Sequence, residues 1–224
     1  LVYILVPVAN LQHSQASFDG AEEKIRNAVF SRVLRDTGID LPALTEVEHR
    51  FYPQDFINRY NIQYVLHLGD IVNVNTAVQW TNARTAMFML DGEVPYALAP
   101  GNHDFSTFVA PRSTLFNDFF PLAKYQSWPT FGGVREPGRL ENSYHLFSAG
   151  GVDWLLFALE YGPRNGTVAW ASQIASNYPA RKKILITHAY LYDDDTRYDW
   201  ATKGSTQSWS PHAGAAASDP EGTN

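Results

Sequence analysis

The sequence predicts an α/β domain. Short apolar, β-branched runs recur along the chain, and stretches with helical spacing separate them. The runs at 64–68, 94–98 and 183–187 each lead into glycine, carboxylate, amide or imidazole residues. Strand, helix, strand, helix, strand with polar residues after the strands is an α/β plan. Its site is expected at the carboxyl edge of the sheet.

The first run, Leu1 to Ala9, is almost wholly apolar and reads as a buried strand. Asp19 and Glu22 then have capping-box spacing. Ile25, Ala28, Val29 and Val33 recur at helical intervals and Gly38 follows, so residues 20–36 are expected to form an amphipathic helix. A weaker helix is expected within 43–60, broken or kinked by Pro53. Tyr64 to Leu68 reads as a second buried strand running into Gly69-Asp70. Ala77, Trp80, Ala83 and Met87 share one face of a helix expected over roughly 76–90. Val94 to Leu98 is the third strand, ending at Gly101-Asn102-His103-Asp104.

Residues 105–142 are rich in Phe, Pro and Gly and read as a long irregular excursion. Ser143 to Ser148 and Val152 to Leu159 are expected to be strands around the turn Ala149-Gly150-Gly151. Thr167 to Asn177 suits a short helix, and Lys183 to Thr187 a buried strand running into His188. From Asp193 to Asn224 the chain is polar and lacks apolar periodicity. No internal repeat or second domain is evident, so 1–224 reads as a single domain.

Composition narrows the chemistry. The 224 residues suffice for one domain with a real core. A formal charge of −6 argues against a nucleic-acid binder that works by phosphate neutralisation. It leaves a phosphate-bearing substrate open, because bound metal ions supply positive charge locally. With no cysteine, a disulfide frame, thiol nucleophile or cysteine-type zinc site is excluded. No apolar run approaches the ~20 residues of a membrane span, and the Leu1 to Ala9 run lacks the basic start of a signal peptide. The chain begins at Leu rather than Met, so its natural N-terminus is expected upstream.

The strand ends deliver metal-competent groups: the Asp70 carboxylate, the Asn102 amide oxygen and the His188 imidazole. A mixed oxygen and nitrogen donor set suits Mn, Fe, Zn or Ni better than Ca. Taken together, His67-Leu-Gly-Asp70, Pro100-Gly-Asn-His-Asp104 and Ile186-Thr-His188 resemble the second, third and fourth motifs of calcineurin-like metallophosphoesterases, in order and in strand-end placement. The resemblance spans about residues 1–210. It implies a two-sheet sandwich flanked by helices, and metal-dependent hydrolysis of a phosphate monoester or diester. The complete family site holds two divalent ions.

Residue by residue, the resemblance implies that Asp70 bridges the metals and that Asn102 and His188 ligate the second. It implies that a metal-bound hydroxide attacks phosphorus, that His103 protonates the leaving oxygen, and that Asp104 orients the His103 ring. Histidine's ordinary pKa near neutrality suits that acid role. The run His188 to Asp195 also looks like a bacterial, often exported branch, which implies a periplasmic or extracellular location.

There are two departures from the family pattern. The first motif, Asp-x-His or Asp-x-Gln, is represented by Asn10 and Gln12. An amide at Asn10 is able to coordinate but removes one negative charge. Asp36-Thr37-Gly38 is a rival for this motif, though it ends a helical pattern rather than a strand. The fifth motif, Gly-His-x-His, does not occur before Asn224, so the domain reads as incomplete at its C-terminus. At most one metal is therefore expected to be held well, through Asp70, Asn102 and His188. The alternative function is a non-catalytic phosphoesterase-like scaffold that binds a ligand or partner, favoured by Asn10. His67 reads as a packed strand histidine. Trp128, Phe131 and Trp209 are open to two readings, contact with an organic leaving group or local packing.

Overall fold

Val2–Leu5 (β1), Tyr64–His67 (β2) and Tyr96–Leu98 (β3) form a parallel sheet in the order β1-β2-β3. This computed structural model describes residues 57–58, 61–107, 112–192, 196–207 and 211, and the backbone of Val2–Leu5. The chain divides into two compact units, Leu1–Pro7 with Gln54–Asn224 and Val8–Pro53, and the described residues belong to the first. The helices expected over 20–36 and across most of 43–60 lie outside the described residues, as do Asn10, Gln12, Asp36 and Trp209.

A second sheet has the order β4-β5-β6-β7. Phe131–Val134 (β4), Ser143–Ala149 (β5) and Val152–Ala158 (β6) run antiparallel, and Lys182–Ile186 (β7) lies parallel to β6. Among the described residues the α-helices include Ala77–Met87 (α1), Phe116–Phe119 (α2), Leu122–Tyr125 (α3), Asn165–Asn177 (α4) and Trp200–Lys203 (α5).

Strand alternation sorts the side chains into layers. Tyr64, Leu66 and Ala97 of the first sheet meet Phe147, Leu156, Ala158 and Ile186 of the second in one buried cluster. Val65, Tyr96 and Leu98 face the other way, onto Trp80 and Met87 of α1 and onto Phe116, Leu122 and Tyr125. Leu155, Phe157 and Leu159 cover Ala171 of α4. The architecture is thus a two-sheet sandwich flanked by helices. Because β2 and β6 are covered on both faces, their sequences read as unbroken apolar runs.

The differences from expectation have local causes. The β3 ladder begins at Tyr96 rather than Val94, because Pro95 has no N–H to give, although its carbonyl accepts from Val65 at 2.9 Å. The supposedly irregular stretch 105–142 contains α2, α3 and β4. In β4, Gly132 lies against the Tyr144 ring, which occupies the space a Cβ would need. Trp128 packs against Tyr96 and Tyr125, with both ring centroids at 4.9 Å, and Phe131 stacks edgewise on His145. In the polar tail, Asp199 caps α5 by accepting from the Thr202 N–H at 3.1 Å. Among the described residues no helix is long and apolar enough to cross a membrane.

A buried ionic cluster ties the excursion to the end of β6. Glu160, 2% exposed, accepts from Arg164 Nε at 2.8 Å and Thr167 Oγ1 at 2.8 Å, and pairs with Arg112 at 3.2 Å. Burial alone would raise its carboxyl pKa. The Arg164 hydrogen bond and the charges of Arg112 and Arg164 outweigh burial and hold it below the usual range. A depressed acid pKa contributes stability in full above the unfolded value, about 4.3, and loses it as pH falls through the lower folded value. Glu160→Gln is therefore expected to lower stability at pH 7 by about 3 kcal/mol, with the deficit shrinking below about pH 4. Urea unfolding of both proteins across pH 3 to 8 checks this, and a pH-independent deficit would contradict it.

Candidate active site

Two glycines bring the ends of β2 and β3 into backbone contact. After His67 and Leu68 the chain turns through Gly69 at φ +97 and Asp70 at φ +48. The first value favours glycine, and the second is one that aspartate tolerates better than most residues. A Cβ on Gly69 would lie 2.7 Å from Gly101 N and 2.8 Å from His188 Nδ1. A Cβ on Gly101 would overlap the backbone N and Oδ1 of Asp70 and lie 3.0 Å from its Cα. The ends of β2 and β3 and His188, two residues beyond β7, therefore converge only because two side chains are missing.

Asp70 and His188 meet at this point, with Oδ2 to Nε2 at 3.2 Å. The other carboxylate oxygen, Oδ1, accepts from the His103 backbone N–H at 3.0 Å. His188 Nδ1 lies 2.8 Å from the Leu68 carbonyl. A carbonyl can only accept, so Nδ1 carries a proton and Nε2 is the atom turned to Asp70. Burial alone would raise the Asp70 pKa and lower that of His188. Their mutual hydrogen bond and opposite charges overturn this, holding Asp70 below and His188 above the usual ranges.

Asn102 opens the 3₁₀ turn Asn102–Asp104 and is half-buried beside these groups in sequence. Among the described residues, no group of three or more His, Asp or Glu side chains gathers. The donors present are one carboxylate, one imidazole with its Nε2 fixed, and one amide. The chemistry of these donors suits a divalent ion, and the outer hydrogen bond that orients a ligating histidine is already in place on Leu68.

His103 and Asp104 divide their work differently from the expectation. The ring of His103 is oriented by the Asn73 carbonyl, 2.7 Å from Nδ1. Asn73 is itself fixed, its N–H donating to Gln79 Oε1 of α1 at 2.8 Å. Asp104, fully buried, instead accepts from the backbone N–H groups of Gly101 at 2.7 Å, Val72 at 2.9 Å and Ile71 at 3.1 Å. Its carboxylate ties together the two loops that carry Asp70 and Asn102. Burial pushes its pKa up to about 7 against the pull of those three donors.

His67 is buried as expected for a packed strand histidine, and it also accepts the Gly69 N–H on Nδ1 at 3.3 Å. Burial and the His188 charge pull its pKa down to about 4, so the ring stays neutral and can accept. Sequence reasoning missed Asn73 and Leu68, which act through carbonyls and carry no side-chain signal. It also missed Tyr161, whose ring packs edgewise on that of His188 at 6.0 Å. Glu160-Tyr161 follows directly on the apolar run of β6, and a carboxylate in that position was the available signal.

The family model described as calcineurin-like phosphoesterase matches residues 36–213. The matched span holds Asp70, Asn102, His103, Asp104 and His188, and leaves out Asn10 and Gln12. The uncharacterized protein YvnB of Bacillus subtilis (strain 168) is 32% identical over 143 residues, 62% of this chain. The match covers 11% of that protein, so the chain spans only a small part of the length of this relative.

Proposed function

The chain belongs to the calcineurin-like phosphoesterase family, and from that premise we propose that it hydrolyses a phosphate monoester or diester, with His103 as general acid. The observation that carries the reading is the convergence of strand ends: His188 Nε2 lies 3.2 Å from Asp70 Oδ2, while the His103 N–H holds Asp70 Oδ1. Asp70, Asn102 and His188 would hold a divalent ion, which supplies Lewis-acid polarisation of the phosphoryl group and an acidified water. Mn, Fe, Zn or Ni suits these donors.

The chain's own groups do the remaining work. Asp70 supplies negative charge, and the His103 N–H keeps its Oδ1 oriented. With Nδ1–H donated to Asn73, the proton that His103 gives to a leaving oxygen leaves from Nε2, and the ring reloads at the same atom. Asp104 keeps the Gly101 and Ile71-Val72 loops in register, so the acid and the donor set stay in fixed relation.

The test is turnover of an aryl phosphate with Mn²⁺, lost on chelation and restored by Mn²⁺, with metal analysis after dialysis. Turnover with one tightly held ion per chain is the expected result. Mn²⁺ binding with no turnover would overturn the hydrolytic reading and favour the non-catalytic scaffold. Two tightly held ions would overturn the single-ion assignment.

A further inference from the structure

We propose that Arg112 is a positioning residue that holds the segment beneath His188 and thereby sets the His188 ring. The inference rests on the reading of His188 as a site residue. Arg112 lies eight positions beyond Asp104, and its side chain is 6% exposed. One guanidinium grips three consecutive residues. It pairs with the Glu160 carboxylate at 3.2 Å and donates to the Tyr161 carbonyl at 2.8 Å and the Gly162 carbonyl at 3.1 Å.

That gripped segment touches each residue of the strand end carrying the imidazole. The Glu160 carbonyl accepts from Thr187 Oγ1 at 3.0 Å. The Tyr161 ring lies edgewise on the His188 ring. Ala189 packs on Tyr161 and on Phe105, the residue after Asp104. Arg112 thus joins the loop that follows the Asn102–Asp104 turn to the floor under Thr187-His188-Ala189. The Glu160 carboxylate is in turn anchored by Arg164 and Thr167, so the grip is backed from behind. A planar fork spanning one carboxylate and two carbonyls is geometry that lysine cannot reproduce. The Tyr161 ring is the side support of an imidazole whose Nδ1–H is held by the Leu68 carbonyl and whose Nε2 faces Asp70, so displacing it loosens both of those contacts.

The experiment compares wild type with Arg112→Ala and Arg112→Lys. Histidine ring ¹⁵N NMR on metal-free protein reads the His188 Nδ1–H, and Mn²⁺ titration reads the donor set. An aryl phosphate assay reads kcat and KM separately. Both variants are expected to lose the protected Nδ1–H resonance and to bind Mn²⁺ about 10–100-fold more weakly. At saturating Mn²⁺, kcat falls by a similar factor while KM is nearly unchanged. Lysine keeps an ion pair with Glu160, so it separates the grip on the carbonyls from charge alone, and it decides the matter if the alanine variant does not fold. A folded Arg112→Lys protein with the wild-type resonance and Mn²⁺ affinity would overturn the proposal. Wild-type protein that turns nothing over would sink the hydrolytic reading instead, and the resonance and titration would still decide this one.

Discussion

Replacing His103 with alanine is expected to lower kcat on phosphate esters by about 10²–10⁴-fold while Mn²⁺ binding stays at the wild-type level. The geometry separates the two effects. Asp70 Oδ1 accepts its hydrogen bond from the backbone N–H of His103, so truncating the ring leaves that donor in place. The ring's Nδ1 is committed to Asn73, whose position is fixed independently by Gln79. What the substitution removes is the Nε2 proton. The loss should therefore grow with the basicity of the leaving oxygen: small for a nitrophenolate, which departs without protonation, and large for an alkoxide. Comparing the wild-type to variant ratio of kcat across a series of aryl and alkyl phosphates measures this. An identical ratio for every leaving group would show that His103 acts otherwise than as an acid. Loss of Mn²⁺ affinity in the variant would show that its ring serves the donor set.

The fold was legible where both faces of a strand are covered. β2 and β6 stand out as apolar runs because helices lie on the outer faces of the sandwich. β7 reads as a buried run too, but only Ile186 is buried and Leu185 is 56% exposed, because its apolar content serves one face alone. β4 was not legible, since Gly132 and Gly133 give no side-chain pattern; their smallness serves the Tyr144 ring of the neighbouring strand. A glycine that accommodates a distant aromatic looks, in one dimension, the same as a glycine in a loop. The positions of Asp70, Asn102, His103 and His188 were legible from ordered motifs at strand ends. The work of Asp104 was not, because its partners are backbone N–H groups of Gly101, Ile71 and Val72, and any residue except proline offers one. The same holds for the carbonyls of Leu68 and Asn73 that set the two imidazoles. Motifs report side chains, whereas here the orientation of those side chains is set by main-chain atoms.

Gly101→Ala should be the most damaging single-methyl change in the described part of the chain, and its cause is space rather than conformation. Gly101 sits at φ −95 and ψ −175, an extended backbone that alanine adopts freely. The added Cβ would overlap the backbone N and Oδ1 of Asp70, and the backbone there cannot swing aside as a flexible side chain would. Moving Gly101 instead pulls on its N–H bond to Asp104, and through Asp104 on Ile71 and Val72. Either way the Asp70 carboxylate shifts relative to His188. The expected cost is about 3 kcal/mol, a fall in Tm of roughly 6–12 °C, and a loss of Mn²⁺ affinity of about 100-fold or more. Gly138→Ala supplies the contrast. Gly138 has φ +80 with nothing within 4 Å of the added Cβ, so that variant carries only the left-handed backbone penalty of about 1 kcal/mol and should bind Mn²⁺ as wild type does. Thermal melts and Mn²⁺ titrations of the two variants distinguish a glycine kept for its dihedral from one kept for its emptiness. Wild-type Mn²⁺ affinity in Gly101→Ala would mean that the close approach of the β2 and β3 ends does not hold the donor set together.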